Sequence, residues 1–363
     1  RPPELAELLS RHREGEPIDD ERLARLVEEA TRDVLDRQAE TGIDVANNGE
    51  QAKTGFHFYI YDRLGGLGGE TTAPMWADLE DYPELAWDRY QGGRPQPAVT
   101  EPVSYTGRTA LEGEIETFFD LLGKGDFGFE ETFLTAASPG EVATVVGNQH
   151  YDSHEAFVFA LAEELREEYE LIVESGAILQ LDSPDLLGHA HRVFKDQTTA
   201  EFLDTVRLHI EALNEAVSGI PAERIRLHTC WGNYPGPHHR DIPLETVLPL
   251  LYEADVGALA IEQANPRHHH EYRAFETHPL PSDMLLIPGV VDVKTNIIEP
   301  PEVVADRLER WAYVVDDPTR IMAAPDCGFG TVAGGTMTVA DEVVWAKLEA
   351  LVAGAALASA RLY

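Results

Sequence analysis

Short apolar runs alternate with long amphipathic stretches along most of this chain, and that alternation restricts its fold more than any other feature. Residues 43–46, 132–136, 177–181, 226–230, 258–262, 285–291 and 320–324 read as strands. Residues 20–41, 153–175, 200–217 and 301–315 carry helical periodicity, and 341–357 closes the chain as a further helix. Strands separated by helices pair in parallel, because each helix carries the chain back along a sheet face. These α/β units predict a single (β/α)8 TIM barrel over residues 1–363, its first strand expected upstream of Arg1. A doubly wound open sheet is the competing arrangement.

The segment 59–105 breaks the alternation. It is rich in Gly, Pro and aromatic residues and includes Gly65-Gly66-Leu67-Gly68-Gly69. Long irregular segments in compact domains usually cover or form binding sites, so this one is expected to be an inserted loop and hairpin over the barrel mouth.

Charge excludes several partners. Asp plus Glu number 65 against 28 Lys plus Arg, a formal net charge of −37, and such a surface repels nucleic acid and anionic lipid. No nucleic-acid or membrane partner is expected, and no uninterrupted apolar run reaches the ~20 residues of a membrane span. A salt-rich cytoplasm would screen this self-repulsion. The two cysteines, on different strands, fit a reducing cytoplasm better than a disulfide. A homo-oligomer is compatible with the sequence.

Barrel active sites form at the C-terminal ends of the strands. His228-Thr229-Cys230 ends one apolar run, Glu262 ends the next, and Cys327 follows another in Pro325-Asp326-Cys327-Gly328-Phe329-Gly330. Thiolate, imidazole and carboxylate are the zinc ligand types, and His228, Cys230, Glu262 and Cys327 are expected to hold one catalytic zinc. The plain alternative is two buried cysteines, a core histidine and a surface glutamate. Trp231 and Tyr234, beside the motif, either pack on the rim or stack on a flat donor. His238-His239 and His268-His269-His270 lie in polar stretches and are expected to be solvated.

These motifs resemble the zinc site of the cobalamin-independent methionine synthases. The resemblance covers nearly the whole chain and matches the C-terminal catalytic barrel of that family, most closely its short single-barrel members, including those akin to epoxyalkane–coenzyme M transferase. His228-Thr229-Cys230-Trp231-Gly232-Asn233-Tyr234, Glu262-Gln263-Ala264-Asn265-Pro266-Arg267-His268, Pro288-Gly289-Val290-Val291-Asp292 and Tyr61-Asp62-Arg63-Leu64-Gly65-Gly66 carry it. It implies zinc-dependent methyl or alkyl transfer to a small-molecule thiol, with homocysteine methylation to methionine leading and epoxide opening by a small thiol as the alternative. The alkyl donor stays open among folate, corrinoid and electrophile. Glu50 and Asp182 match the carboxylates that hold the amino group of homocysteine, and Asp241 corresponds to a carboxylate near the donor. Lys294 stands where the family has a histidine that is a candidate acid for the leaving group, a role requiring a lowered lysine pKa. A zinc hydrolase belongs to a different class, and the cysteine-rich ligand set disfavours it. A zinc that only braces the barrel would instead be a closed structural site.

Overall fold

In chain order the strands are β1 (Val45–Ala46), β2 (Leu64–Thr72), β3 (Pro95–Tyr105), β4 (Glu131–Ala137), β5 (Gly147–Asn148), β6 (Ile178–Asp182), β7 (Ile225–Thr229), β8 (Ala258–Ile261), β9 (Leu285–Val291) and β10 (Ala324–Pro325). They come from a computed structural model that describes residues 1–85, 93–335 and 339–363. One sheet runs β1-β4-β6-β7-β8-β9-β10 with every pairing parallel. Its order follows the chain without reversal. A doubly wound sheet requires a switch point, so that alternative falls, and the curled sheet is the wall of a (β/α)8 barrel.

Register decides which side chains enter the barrel. Leu181, Leu227, Leu259 and Leu286 are paired across four neighbouring strands and are all fully buried. Their neighbours one residue on, Asp182, His228, Ala260 and Ile287, form the next row, and side chains alternate faces along a strand. That second row lines the central cavity. Polar groups at the ends of β6 and β7 therefore point into the barrel, while the leucine row packs in the main hydrophobic core.

The helices begin and end where local chemistry dictates. The Asp19 side chain accepts a hydrogen bond from the Arg22 backbone N–H to start Asp20–Thr41, and Gly42 ends that helix at φ 84°. Thr198 and Glu201 form a capping box at the head of Thr199–Val217. The last barrel strand departs from expectation. Ile321 makes only an isolated bridge to Leu286, and the ladder forms at Ala324–Pro325 with a register shift between them. Pro325 lacks a backbone N–H, which keeps this strand short.

The closing helix, Asp341–Leu362, runs five residues beyond the expected 357. It is long and apolar enough to cross a membrane by length and composition, a correction to the reading that no such segment exists. Here Leu351 and Ala358 pack in a small core with Val304, Ala305 and Leu308 of the helix Pro301–Val315.

Within the segment 59–105, β2 and β3 pair as an antiparallel hairpin that β5 extends; residues 86–92 lie outside the described residues. After β2, Trp76 seats against Gly232. A Cβ on Gly232 would lie 2.6 Å from the indole, and its φ of +99° is one that other residues rarely adopt. Asp78 reinforces the contact: its Oδ2 accepts hydrogen bonds from the Tyr234 hydroxyl at 2.6 Å and the His238 backbone N–H at 2.8 Å. The hairpin segment is thus fastened to the loop that follows Cys230.

Candidate active site

His228 sits near the end of β7, Cys230 just beyond it, and Cys327 just beyond β10. One donor atom from each, an imidazole nitrogen and two sulfurs, lies within 4.8 Å of the others, and Cys327 Sγ is 3.3 Å from His228 Nε2. Both cysteines are free thiols and buried. Hydrogen bonding from Cys327, aided by His228, holds the Cys230 thiol well below its usual pKa against the opposing effect of burial. The same hydrogen bond, together with burial, pushes Cys327 well above its usual value. Burial disfavours the His228 imidazolium, but Cys230 outweighs it and raises the pKa. One thiolate is therefore already favoured at this cluster.

Glu262 follows β8 and is fully buried. Its Oε1 accepts hydrogen bonds from Arg267 Nη2 at 2.8 Å and Lys294 Nζ at 2.9 Å, whereas Oε2 is buried with no partner. Burial first, then the charges of Asp326 and Cys230, raise its pKa to about 8 against the pull of Lys294. Lys294 does not meet the requirement for a proton donor. Burial alone would lower its pKa, but Glu262 and Cys327 hold it above the usual lysine range. Its visible role is to tether Glu262.

Asp326 locks the two loops together. Its Oδ1 accepts from the backbone N–H groups of Gln263 at 2.8 Å and Ala264 at 2.7 Å, and its Oδ2 from that of Asn265 at 2.9 Å. The residue before Cys327 thereby sets the path of the chain immediately after Glu262. Gly289 on β9 leaves room for it, since a Cβ there would collide with the Asp326 side chain.

Glu50 and Asp182 both line the cavity that contains His228, Cys230 and Cys327. Thr135 Oγ1 donates to Glu50 Oε1 at 2.6 Å, and Gln180 Nε2 donates to Asp182 Oδ1 at 2.7 Å. Burial raises Asp182 to about 6, with His228 opposing and Glu50 adding to the shift. Glu50 takes φ +54°, an uncommon conformation for a non-glycine residue that aims it from the turn after β1. The cavity, about 2620 Å³, extends from this site to Asp33 on the helix Asp20–Thr41 and to Val344 and Ser359 on the closing helix.

Asp241, Trp231 and Tyr234 belong to a neighbouring buried network. His268 Nε2 lies 2.8 Å and His238 Nδ1 3.0 Å from Asp241 Oδ2, and His191 Nδ1 is 3.5 Å from Oδ1. His238 and His268 were expected in solvent but are 4% and 3% exposed, because carboxylates and stacked rings replace water around them. Trp231 is fully buried, stacked on His268 with ring centroids 3.5 Å apart, and donates its indole N–H to the Ile242 carbonyl. It packs the rim. Tyr234 borders the cavity, with its ring 4.5 Å from that of Trp76.

Comparison with known proteins locates this arrangement. Residues 143–347 match the family model described as cobalamin-independent synthase, catalytic domain. The chain belongs to that cobalamin-independent synthase family. The methionine synthase of Pyrococcus horikoshii is 24% identical over 313 residues, covering 86% of this chain and 78% of its own. That of Saccharolobus islandicus (strain L.S.2.15 / Lassen #1) is 27% identical over 335 residues, covering 90% and 85%. The fold is shared with the B12-independent methionine synthase from Shewanella sp. W3-18-1 in complex with selenomethionine. That structure matches with a TM-score of 0.73 at 22% identity, covering 95% of this chain and 91% of that one.

Within this cobalamin-independent synthase, sequence reasoning missed Arg267, Asp326, His238 and His268 as structural partners of the site. Asp326 carried a signal, standing directly before Cys327 in a glycine-rich turn. Arg267 stands in the same stretch as its partner Glu262, five residues on, but nothing in the sequence showed that the loop folds back to pair them or that Asp241 comes near.

Proposed function

We propose that this cobalamin-independent synthase methylates the thiol of homocysteine to give methionine, with one zinc held by His228, Cys230, Cys327 and Glu262. The observation that carries the reading is the convergence of one imidazole nitrogen and two sulfurs in the barrel mouth, in one cavity with Glu50 and Asp182. The residues fit zinc. Two sulfurs and a nitrogen are a zinc donor set; Glu262 lies outside that converging group, and its Oε2, buried without a partner, is the candidate for a fourth ligand. When bound there, zinc lowers the pKa of a substrate thiol so that its sulfur is nucleophilic at neutral pH.

The chain's own residues supply the rest. Glu50 and Asp182 present two carboxylates to an ammonium group, which favours an amino-acid thiol over a sulfonate-bearing one. Lys294 and Arg267 fix Glu262, and Asp326 fixes the loop that carries it. Trp76 and the hairpin cover one side of the mouth, limiting access of water to the attacking sulfur. The methyl donor carries its group to that sulfur from the remaining volume of the cavity.

A thiol panel with labelled methyl donors, folate and corrinoid in turn, tests this by mass spectrometry of the S-alkylated product alongside zinc analysis. Labelled methionine from homocysteine is the expected result. Alkylation of coenzyme M by an epoxide, with homocysteine inert, would replace this reading with the epoxide-opening one.

A further inference from the structure

The cavity contains a second polar feature that the thiol site does not use. Arg192, from the turn after Gly188–His191, lines the cavity together with Trp76, Tyr61, His57, His189 and Glu141. Its Nε is buried with no hydrogen-bond partner, and its guanidinium makes no ion pair with a described residue. The contrast with Arg63 is direct. Arg63, which is buried, donates to Glu114 at 2.7 Å and Glu168 at 3.3 Å.

The nearest acid in the pocket is already occupied. Glu141 Oε1 lies 2.7 Å from His57 Nδ1, and its Oε2 lies 3.3 Å from His189 Nε2. Arg192 instead rests over the Trp76 ring, with Cζ 5.2 Å from the centroid. Arg192 is partly buried, and its Nε is shut off from water without a partner, a costly arrangement that an incoming anion would relieve while the rest of the guanidinium faces the cavity. Its planar fork matches a carboxylate or phosphate in bidentate fashion.

We propose that Arg192 receives an oxyanion of a substrate, either the α-carboxylate of the amino-acid thiol or an acidic group of the methyl donor, in the part of the cavity beside Trp76. This deepens the methyl-transfer reading and rests on it for the identity of the substrates. Burial works against the Arg192 charge while Glu141 and Tyr61 support it, so an anion bound at its open fork would complete a charge that no described acid pairs. Trp76 supplies a flat apolar floor beside that cation.

Calorimetric titration of the intact protein tests the assignment. The ligands are homocysteine, its decarboxylated analogue homocysteamine, methyltetrahydrofolate and inorganic phosphate, each against wild type, Arg192→Gln and Arg192→Lys. If the thiol is the source of the anion, Arg192→Gln weakens homocysteine by about 10- to 100-fold and leaves homocysteamine unchanged. If the donor is the source, the same loss falls on methyltetrahydrofolate and phosphate instead. Arg192→Lys recovers part of it in either case. Wild-type affinities for all four ligands in Arg192→Gln overturn the proposal.

A measurement on the wild-type protein guards against a variant that fails to fold. Homocysteine, methyltetrahydrofolate or phosphate should slow phenylglyoxal modification of Arg192, read by peptide mass spectrometry; no protection by any of them also overturns the proposal. Arg192-dependent anion binding in a protein that makes no methionine would sink the methyl-transfer reading alone. Methionine formation with unchanged binding in Arg192→Gln would sink only the anion pocket.

Discussion

Two buried clusters of histidine and acid lie side by side at the mouth of this barrel, and they are built on opposite plans. In the first, His228, Cys230 and Cys327 bring their donor atoms within 4.8 Å of one another while Glu262 keeps one oxygen without a partner. In the second, Asp241 is surrounded by His238, His268 and His191, and Trp231 stacks on His268. The first converges on a shared space; in the second most bonds close internally, although His191 Nδ1 and Asp78 Oδ1 are buried without a hydrogen-bond partner. Both clusters are buried and rich in histidine and acid, so burial and those residue types alone do not identify a site. Convergence of two sulfurs and an imidazole nitrogen within 4.8 Å of one another does.

The largest effect should come from Cys327→Ser. Zinc content is expected to fall from about one per chain to near zero and methyl transfer by about a thousandfold, some 4 kcal/mol of activation free energy, while circular dichroism stays native. Full zinc retention with full activity would remove the distinction between the clusters.

Asp241→Ala should do the reverse, retaining zinc but lowering the unfolding free energy by about 2–4 kcal/mol, because two buried imidazoles lose their acceptor. Denaturant titration and metal analysis on one sample measure both. Loss of metal without loss of stability would mean that the second cluster serves the first.

The smallest effect concerns pH. Burial lowers His191 to about 4 and His268 to about 2, while burial, with help from Glu262 and Asp78, raises Asp241 to about 10. Below about pH 6.5 the unfolded chain binds imidazole protons that the folded one refuses, so stability rises as pH increases from 4 toward 6.5. From about pH 4 to 10 the unfolded chain has released the Asp241 proton that the folded one still holds; this opposes the two histidines on the acid side and, once they are neutral in the unfolded chain, makes stability fall as pH increases. A maximum near pH 6.5 is expected, with a decline of about 1 kcal/mol by pH 5. Asp241→Asn should flatten the alkaline side; an unchanged alkaline limb would show that Asp241 is not held protonated.

Much of the barrel was legible because its periodicity is local. The helices Asp20–Thr41 and Pro301–Val315 coincide with their predicted bounds, since a cap or an N-terminal proline marks each start. The last strand was misplaced because apolar content at 320–324 says nothing about the hydrogen bond that Pro325 cannot make. His228, Cys230 and Cys327 were found together because sulfur is scarce in this chain and strand ends meet in a barrel. His238 and His268 misled for the opposite reason. Their burial depends on Asp241, Trp231 and the hairpin residue Asp78, and polar flanking sequence gave no sign of those partners. Arg192 was invisible for the same cause, since a missing partner is a property of three dimensions.

The Asp326 carboxylate is occupied by three backbone N–H groups of the stretch after Glu262. An inserted or deleted residue in either loop would be felt in the other, at a ligand position it does not contain. These two distant stretches can consequently drift over evolutionary time only in step, and grafting one of them alone into a related barrel would import a misfit along with the motif.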